Sequence, residues 1–120
     1  MSKKTLVLGA SENPARYSNL AIRRLRDKGH EVIAVGRRAG QVLDVPIQTG
    51  MPDLEGIDTV TMYLNKTNQE PYEDYILKLK PKRIIFNPGA ENQSLEFEAT
   101  EQGTQTMEAC TLVLLSTGQF

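Results

Sequence analysis

Tryptophan is absent from this 120-residue chain, and cysteine and histidine occur once each. No apolar run approaches the roughly 20 residues that a membrane span needs. One cysteine, Cys110, forms no internal disulfide and no thiolate cage. One histidine, His30, leaves Cys110 and the serines without the base that a nucleophilic triad requires. No His/Cys/carboxylate cluster has zinc spacing. The expectation is therefore no catalytic residue and no metal ligand. The opening Met-Ser-Lys-Lys runs at once into a five-residue apolar stretch, too short for a signal peptide, so a cytoplasmic chain with no membrane partner is expected.

What is present is ordinary in bulk and uneven in detail. A hydrophobic share of 39% and a charged share of 24% fit a soluble single domain, residues 1–120, with one core. A net charge of −1 gives nucleic-acid binding no global support. Residues 1–40, however, carry nine Lys/Arg against three Asp/Glu, and residues 41–120 five against twelve. Arg23, Arg24, Arg26 and Lys28 read as a solvated helix face that suits a helix C-terminal dipole. Arg16, Arg37 and Arg38 fall outside that helix. Glu91, Glu96, Glu98 and Glu101 read as the solvated face of a later helix.

The apolar pattern alternates between short β-type runs and helical spacing. Strands are expected at Leu6–Leu8, Glu31–Val35, Asp58–Leu64, Lys82–Phe86 and Thr104–Met107, with Pro46–Gln48 as a short edge strand. Leu20, Ala21, Ile22 and Leu25 give a helix face that starts near Tyr17 or Ser18 and ends before Gly29. Thr67-Asn-Gln-Glu70 has the form of a capping box ahead of the Tyr72, Tyr75, Ile76, Leu79 face, with Pro71 in the first turn. Asn92 or Ser94 opens a helix that stops at Gly103, and Thr111–Leu115 reads as a helix packed on the sheet. Arg37–Val45 reads as a loop. Strands alternating with helices at this spacing predict an α/β fold: a Rossmann-like, doubly wound, mainly parallel sheet of five or six strands with helices on both faces. The expected strand order is 3-2-1-4-5 with a sixth beyond.

That topology gathers four loops at the carboxyl-terminal ends of the strands: 9–18, 36–38, 64–68 and 87–92. The first follows Leu-Val-Leu directly and contains Gly9, a strand–turn–helix order that offers backbone amides and a helix N-terminus to a phosphate. The three glycine positions of a dinucleotide fingerprint read Gly9, Ser11 and Pro14, which argues for a phosphate but weakly for NAD. At the end of the second strand, where NAD recognition needs a carboxylate, stand Arg37 and Arg38. Guanidinium suits a phosphorylated ribose, leaving coenzyme A, with a 3′-phosphate, or NADP, with a 2′-phosphate. Asn65, Asn87 and Asn92 are candidate partners for ligand amides. Cys110 falls at the same edge, as a thiol near the ligand or as a small buried hydrophobe. His30 falls at the opposite edge.

Gly9-Ala10-Ser11 with Asn13-Pro14 and Tyr17-Ser18 resembles the opening of the stand-alone CoA-binding domain proteins, which are similar to the N-terminal domain of the succinyl-CoA synthetase alpha subunit. The resemblance continues through Lys28–Val35, Leu54–Asp58, Phe86-Asn87-Pro88-Gly89 and Glu108-Ala109-Cys110. The chain departs from the family pattern at Gly36-Arg37-Arg38, in place of an Asn-Pro turn, and at Ala109, in place of an arginine. The resemblance implies that the Gly9 turn cradles a pyrophosphate, that the Gly36–Arg38 segment meets the phosphorylated ribose, and that the loops of Asn65 and of Asn87, Pro88, Gly89 and Asn92 line the pantetheine path. The function expected is a module that binds coenzyme A or an acyl-CoA without catalysis. The alternatives are an NADP-dependent reductase or a subunit of one, and a protein-interaction module on the same scaffold. The partner expected is a small-molecule nucleotide, with room for a protein partner or a homo-oligomer.

Overall fold

The first apolar run becomes the centre of a seven-stranded sheet. The computed structural model describes residues 2–120. Its strands are β1 (Thr5–Ala10), β2 (Val32–Gly36), β3 (Gly40–Val42), β4 (Val45–Gln48), β5 (Thr59–Met62), β6 (Arg83–Phe86) and β7 (Gln105–Glu108), in spatial order β3-β4-β2-β1-β5-β6-β7. All neighbours pair parallel except β3 with β4. The helices are α1 (Tyr17–Asp27), α2 (Lys66–Gln69), α3 (Glu73–Leu79), α4 (Gln93–Glu101) and α5 (Thr111–Ser116).

β1 is apolar on both faces because both faces are covered. Leu6 and Leu8 point to a core shared with Val60, Met62, Ile84 and Phe86, closed by Ile76 of α3 and by Leu95 and Ala99 of α4. Val7 points the other way, with Ala34, into a second core closed by Ile22 and Leu25 of α1 and Leu115 of α5. The doubly wound, Rossmann-like arrangement predicted from the β–α alternation is the one observed. Truncating a fully buried Leu8 or Ile84 to alanine costs about 2–5 kcal/mol in such a core.

Three local expectations are corrected. The sheet has seven strands, because the 37–45 stretch is a loop only in part. Gly40–Val42 pairs antiparallel with β4, Gln41 facing Pro46, so Pro46–Gln48 lies one strand in from the edge. β4 tolerates its proline because its parallel register with β2 uses only Ile47 and Gln48. The 37–45 stretch turns at Leu43, with φ +53°, and buries only Val42 and Val45, too little apolar signal to mark a strand. Arg26 is more than a solvated cation: its Nε and Nη2 donate to the two carboxylate oxygens of Asp44 at 2.9 and 2.6 Å, tying the hairpin to α1. Finally, the helix after β5 is capped by Asn65, whose Oδ1 accepts from Asn68 N–H at 2.9 Å, and the Thr67 capping box is not formed. Pro71 then sits in a 3₁₀ turn (Glu70–Tyr72) between α2 and α3, where the missing N–H disrupts a regular helix.

Candidate functional site

The predicted loops after β1, β2, β5 and β6 meet around one cleft of about 850 Å³ at the carboxyl-terminal edge of the sheet. Its position follows from parallel topology alone, since every βα loop on that edge must open to the same side.

β1 ends in a bulge between Leu8 and Ala10, where the register with β2 shifts. Gly9 makes the bulge with φ +98°, and a Cβ there would lie 3.0 Å from the Tyr63 carbonyl carbon and 3.2 Å from Leu64. Gly36 answers the same bulge across the strand pair: a Cβ on it would meet the Ala10 carbonyl oxygen at 2.2 Å. Gly9 lines the main cleft, whereas Gly36 lines a smaller adjoining recess of about 170 Å³ with Leu8, Val35, Leu64 and Tyr72.

The segment between β1 and α1 is tied by its own side chains. Ser11 Oγ accepts from Asn13 N–H and Asn13 Oδ1 from Ala15 N–H, both at 3.0 Å, while Asn19 Nδ2 donates to the Ser11 carbonyl at 2.9 Å. Arg16 holds the N-cap position of α1 without a side-chain acceptor for the first-turn amides. Those amides, at Tyr17 and Ser18, are the positive end of an eleven-residue helix. Tyr17 is 74% exposed on the rim. Arg16, Arg37 and Arg38 line the same cleft, and their side chains are exposed.

Of the predicted site residues, Gly9, Ala10, Ser11, Asn13, Arg16, Tyr17, Ser18, Arg37, Arg38, Asn65, Pro88 and Gly89 line the cleft. Pro14 is exposed beside it and is not part of the lining. Asn87 and Asn92 are 3% and 1% exposed, and their amides face inward, contrary to expectation. Asn87 Nδ2 donates to Thr61 Oγ1 and the Met62 carbonyl, both at 2.8 Å, and its Oδ1 accepts from Thr111 N–H at 2.8 Å. Asn92 Oδ1 caps α4 through Leu95 N–H, and its Nδ2 donates to Gln69 Oε1 at 2.9 Å.

Gln69 was not singled out by the sequence reading, yet it holds the cleft together. Fully buried, its Nε2 donates to the Leu64 carbonyl at 2.8 Å and to the Ala90 carbonyl at 2.7 Å, joining the loop after β5 to the loop after β6. A glutamine two residues before Pro71 carries no sequence mark of burial. Glu12, Ala15, Ala39, Tyr63, Leu64, Asn68 and Ala90 also line the cleft; of these only Ala39 and Tyr63 lie outside the four predicted loops.

The acid–base groups near this edge are few. The Tyr63 hydroxyl is buried without a hydrogen-bond partner, and burial, with the neighbouring Cys110, pushes its pKa up to about 12. Cys110 is half-buried at the start of α5. Among the described residues no group of His, Cys, Asp and Glu could hold a metal ion, and no helix is long and apolar enough to cross a membrane. His30 lies at the opposite edge, 8% exposed, its Nδ1 accepting from Lys3 N–H at 2.9 Å. Glu96 departs from the predicted solvated face. One carboxylate oxygen is buried without a partner, and desolvation together with Glu108 raises its pKa to about 7.

Comparison with solved structures places the whole chain beside close and distant relatives. A crystal structure of an uncharacterized protein is 52% identical, with TM-score 0.96 over 100% of this chain and 99% of that one. A Thermus thermophilus protein (cell-free ID.343) and a hypothetical protein from Pyrococcus horikoshii OT3 share the fold. They are 20% and 21% identical, with TM-scores of 0.85 and 0.86, over 99% and 97% of this chain and 91% and 83% of theirs. A comparison with curated proteins gives no match. The family described as CoA binding domain matches residues 3–116, essentially the whole length, and the chain belongs to that family.

Proposed function

We propose that this protein holds coenzyme A or an acyl-CoA as a stand-alone binding module and performs no chemistry of its own. The observation that carries the reading is the pairing, across one cleft, of two anion-seeking surfaces: the Gly9 turn with the first-turn amides of α1 on one side, and Arg37 with Arg38 on the other. A pyrophosphate at the first and a ribose phosphate at the second satisfy both. The loops of Asn65 and Gly89, tied together by Gln69, offer the remaining wall to a pantetheine arm. Family membership supports coenzyme A over NADP as the nucleotide.

The reading of no catalysis rests on the chemistry of the lining. At neutral pH the Tyr63 phenol stays protonated and buried, the asparagine amides are neither acids nor bases, and the carboxylate of the lining, Glu12, is engaged in accepting from the Gln41 backbone N–H. Calorimetric titration and thermal shift with CoA, acetyl-CoA, 3′-dephospho-CoA, NADP and NAD test the binding. Saturation at about 100 times the dissociation constant stabilises the fold by about 2.7 kcal/mol. The expected result is a shift with CoA and acetyl-CoA that exceeds the shift with NAD. A larger shift with NADP than with CoA transfers the reading to the reductase class. Multiple turnover of acetyl-CoA, succinyl-CoA or NADPH that vanishes in Cys110→Ser overturns the non-catalytic reading.

A further inference from the structure

Among the described residues one carboxylate lines the cleft, Glu12, and it shares that lining with Arg16, Arg37 and Arg38. A negative charge inside a site built for a polyanion opposes binding, so its presence calls for a compensating role. The side chain lies flat along Gly40. Its Oε2 accepts from the Gln41 backbone N–H at 2.9 Å. A Cβ added to Gly40 would fall 2.3 Å from Glu12 Cδ, 2.6 Å from Cγ and 2.7 Å from Oε1, and these are its three nearest neighbours. Gly40 has ordinary negative-φ backbone, so the glycine serves the carboxylate rather than the turn.

The consequence lies in the three residues between. Arg37, Arg38 and Ala39 span from the last residue of β2 to the first of β3. At the entry, Gly36 is held in register with Ala10 of the phosphate turn. At the exit, Gln41 is held by Glu12 of the same turn. Both ends of the arginine turn are therefore anchored to one segment, residues 10–12, which continues from the Gly9 turn. β3 is a three-residue edge strand otherwise held by its hairpin with β4, by the buried Val42 and by the Arg26–Asp44 pair; of these only the Gly40–Ile47 pairing lies at the exit of the arginine turn.

We infer that Glu12 is a positioning residue that sets the distance between the pyrophosphate cradle and the two arginines, and so gives the cleft its discrimination between a nucleotide with a ribose phosphate and one without. The inference rests on the coenzyme A reading above. Fixing both ends of the turn in advance removes the ordering cost from the binding step, and that benefit reaches only ligands that touch the arginines.

Affinities for CoA and 3′-dephospho-CoA, measured by titration calorimetry on the full chain, test it. The wild type prefers CoA by about 10- to 100-fold, the worth of a charge-assisted phosphate contact. Glu12→Ala and Gly40→Ala each bring that ratio to within about threefold, and Gly40→Ala, which keeps the Glu12 charge and lies outside the cleft lining, leaves the 3′-dephospho-CoA affinity close to wild type. Glu12→Gln, which keeps an acceptor for Gln41 N–H, retains the preference. The Glu12→Ala/Gly40→Ala double variant matches either single, because the added Cβ then has nothing to displace. Hydrogen exchange at the Gln41 amide, faster in both single alanine variants, verifies in the folded protein that the latch is open. A Glu12→Ala protein that keeps the full preference, or a Gly40→Ala protein with wild-type preference and exchange, overturns the role of Glu12. A wild type that binds neither ligand overturns the coenzyme A reading itself, whereas one that binds both equally leaves that reading standing and overturns the discrimination assigned to Glu12 and the arginine turn.

Discussion

At the carboxyl-terminal edge of the sheet Arg37 and Arg38 stand exposed in a three-residue turn. At the amino-terminal edge Arg83 is 7% exposed, its guanidinium 4.5 Å from the Phe120 ring centroid and its Nε donating to Thr59 Oγ1 at 3.1 Å. The lower edge is closed by its own side chains. The ring of His30 lies 5.0 Å from Phe120, Lys3 Nζ donates to the Phe120 carbonyl, and burial pushes the pKa values of both His30 and Arg83 down. The same strands thus end in a sealed cluster below and an open cleft above. Cations in the first serve packing, through the face of an aromatic ring. Those in the second are wetted, held in place by backbone, and available to an anion from outside. The comparison teaches that arginine content says little about binding until the exposure of each guanidinium is known.

The comparison is most sharply broken at the upper edge. Gly9→Val puts a β-branched side chain at φ +98° and a Cβ 3.0 Å from the Tyr63 carbonyl carbon, a conformation such residues avoid. Affinity for CoA is expected to fall by at least about 100-fold. Calorimetry reads the loss, and an unaltered circular dichroism spectrum verifies the fold. Near-normal binding in that folded variant removes the Gly9 turn from the site.

Exchanging one arginine from each edge sharpens the contrast. Arg37→Ala is expected to weaken CoA about 10- to 100-fold, to spare 3′-dephospho-CoA, and to change stability by no more than about 0.5 kcal/mol. Equal losses for both ligands mean that the arginine reads something other than the ribose phosphate. Arg83→Ala should do the reverse. It removes the ring contact and buried packing, for a loss of about 1–2 kcal/mol in chemical denaturation, and leaves CoA affinity unchanged.

The smallest effects are in the pH dependence of stability. The folded pKa of His30 lies below its ordinary value, chiefly through burial and then the positive charge of Lys3. Its stabilising contribution is complete above the unfolded value and is lost as pH falls through the lower folded one. His30→Gln should therefore flatten the acid side of a Tm–pH curve. Glu96 has the opposite sign, because burial and Glu108 raise its pKa to about 7. Its contribution is complete below the ordinary carboxylate value and is lost as pH rises through about 7. Glu96→Gln is expected to raise the Tm at pH 8 relative to the wild type while changing little at pH 4. A Tm that is unchanged at both pH values shows that the Glu96 carboxylate is not desolvated in solution.

Period and composition were enough to determine the sheet, the helices on both faces, and the edge on which a ligand site must lie. Leu6–Leu8, Val32–Val35 and Ile84–Phe86 are apolar runs that only a buried strand explains, and the βαβ order fixes which ends of those strands share a side. Gly9, Arg37 and Arg38 were legible because they sit at strand ends, where chain position alone places them at that edge. Only the tertiary structure decided which polar side chains at the edge face outward. Asn87 and Asn92 read like ligand partners but turn inward, while Gln69, unmarked in the sequence, joins two loops through 2.7 and 2.8 Å bonds. Glu12 and Gly40 lie 28 residues apart in the chain, and nothing local foretells their contact or the β3 strand between the arginines and β4. The physical reason is common to all of these. Hydrophobic period is a local property that repeats along the chain, whereas a buried amide or a carboxylate latch is settled by whichever unsatisfied N–H or C=O the finished fold brings within about 3 Å.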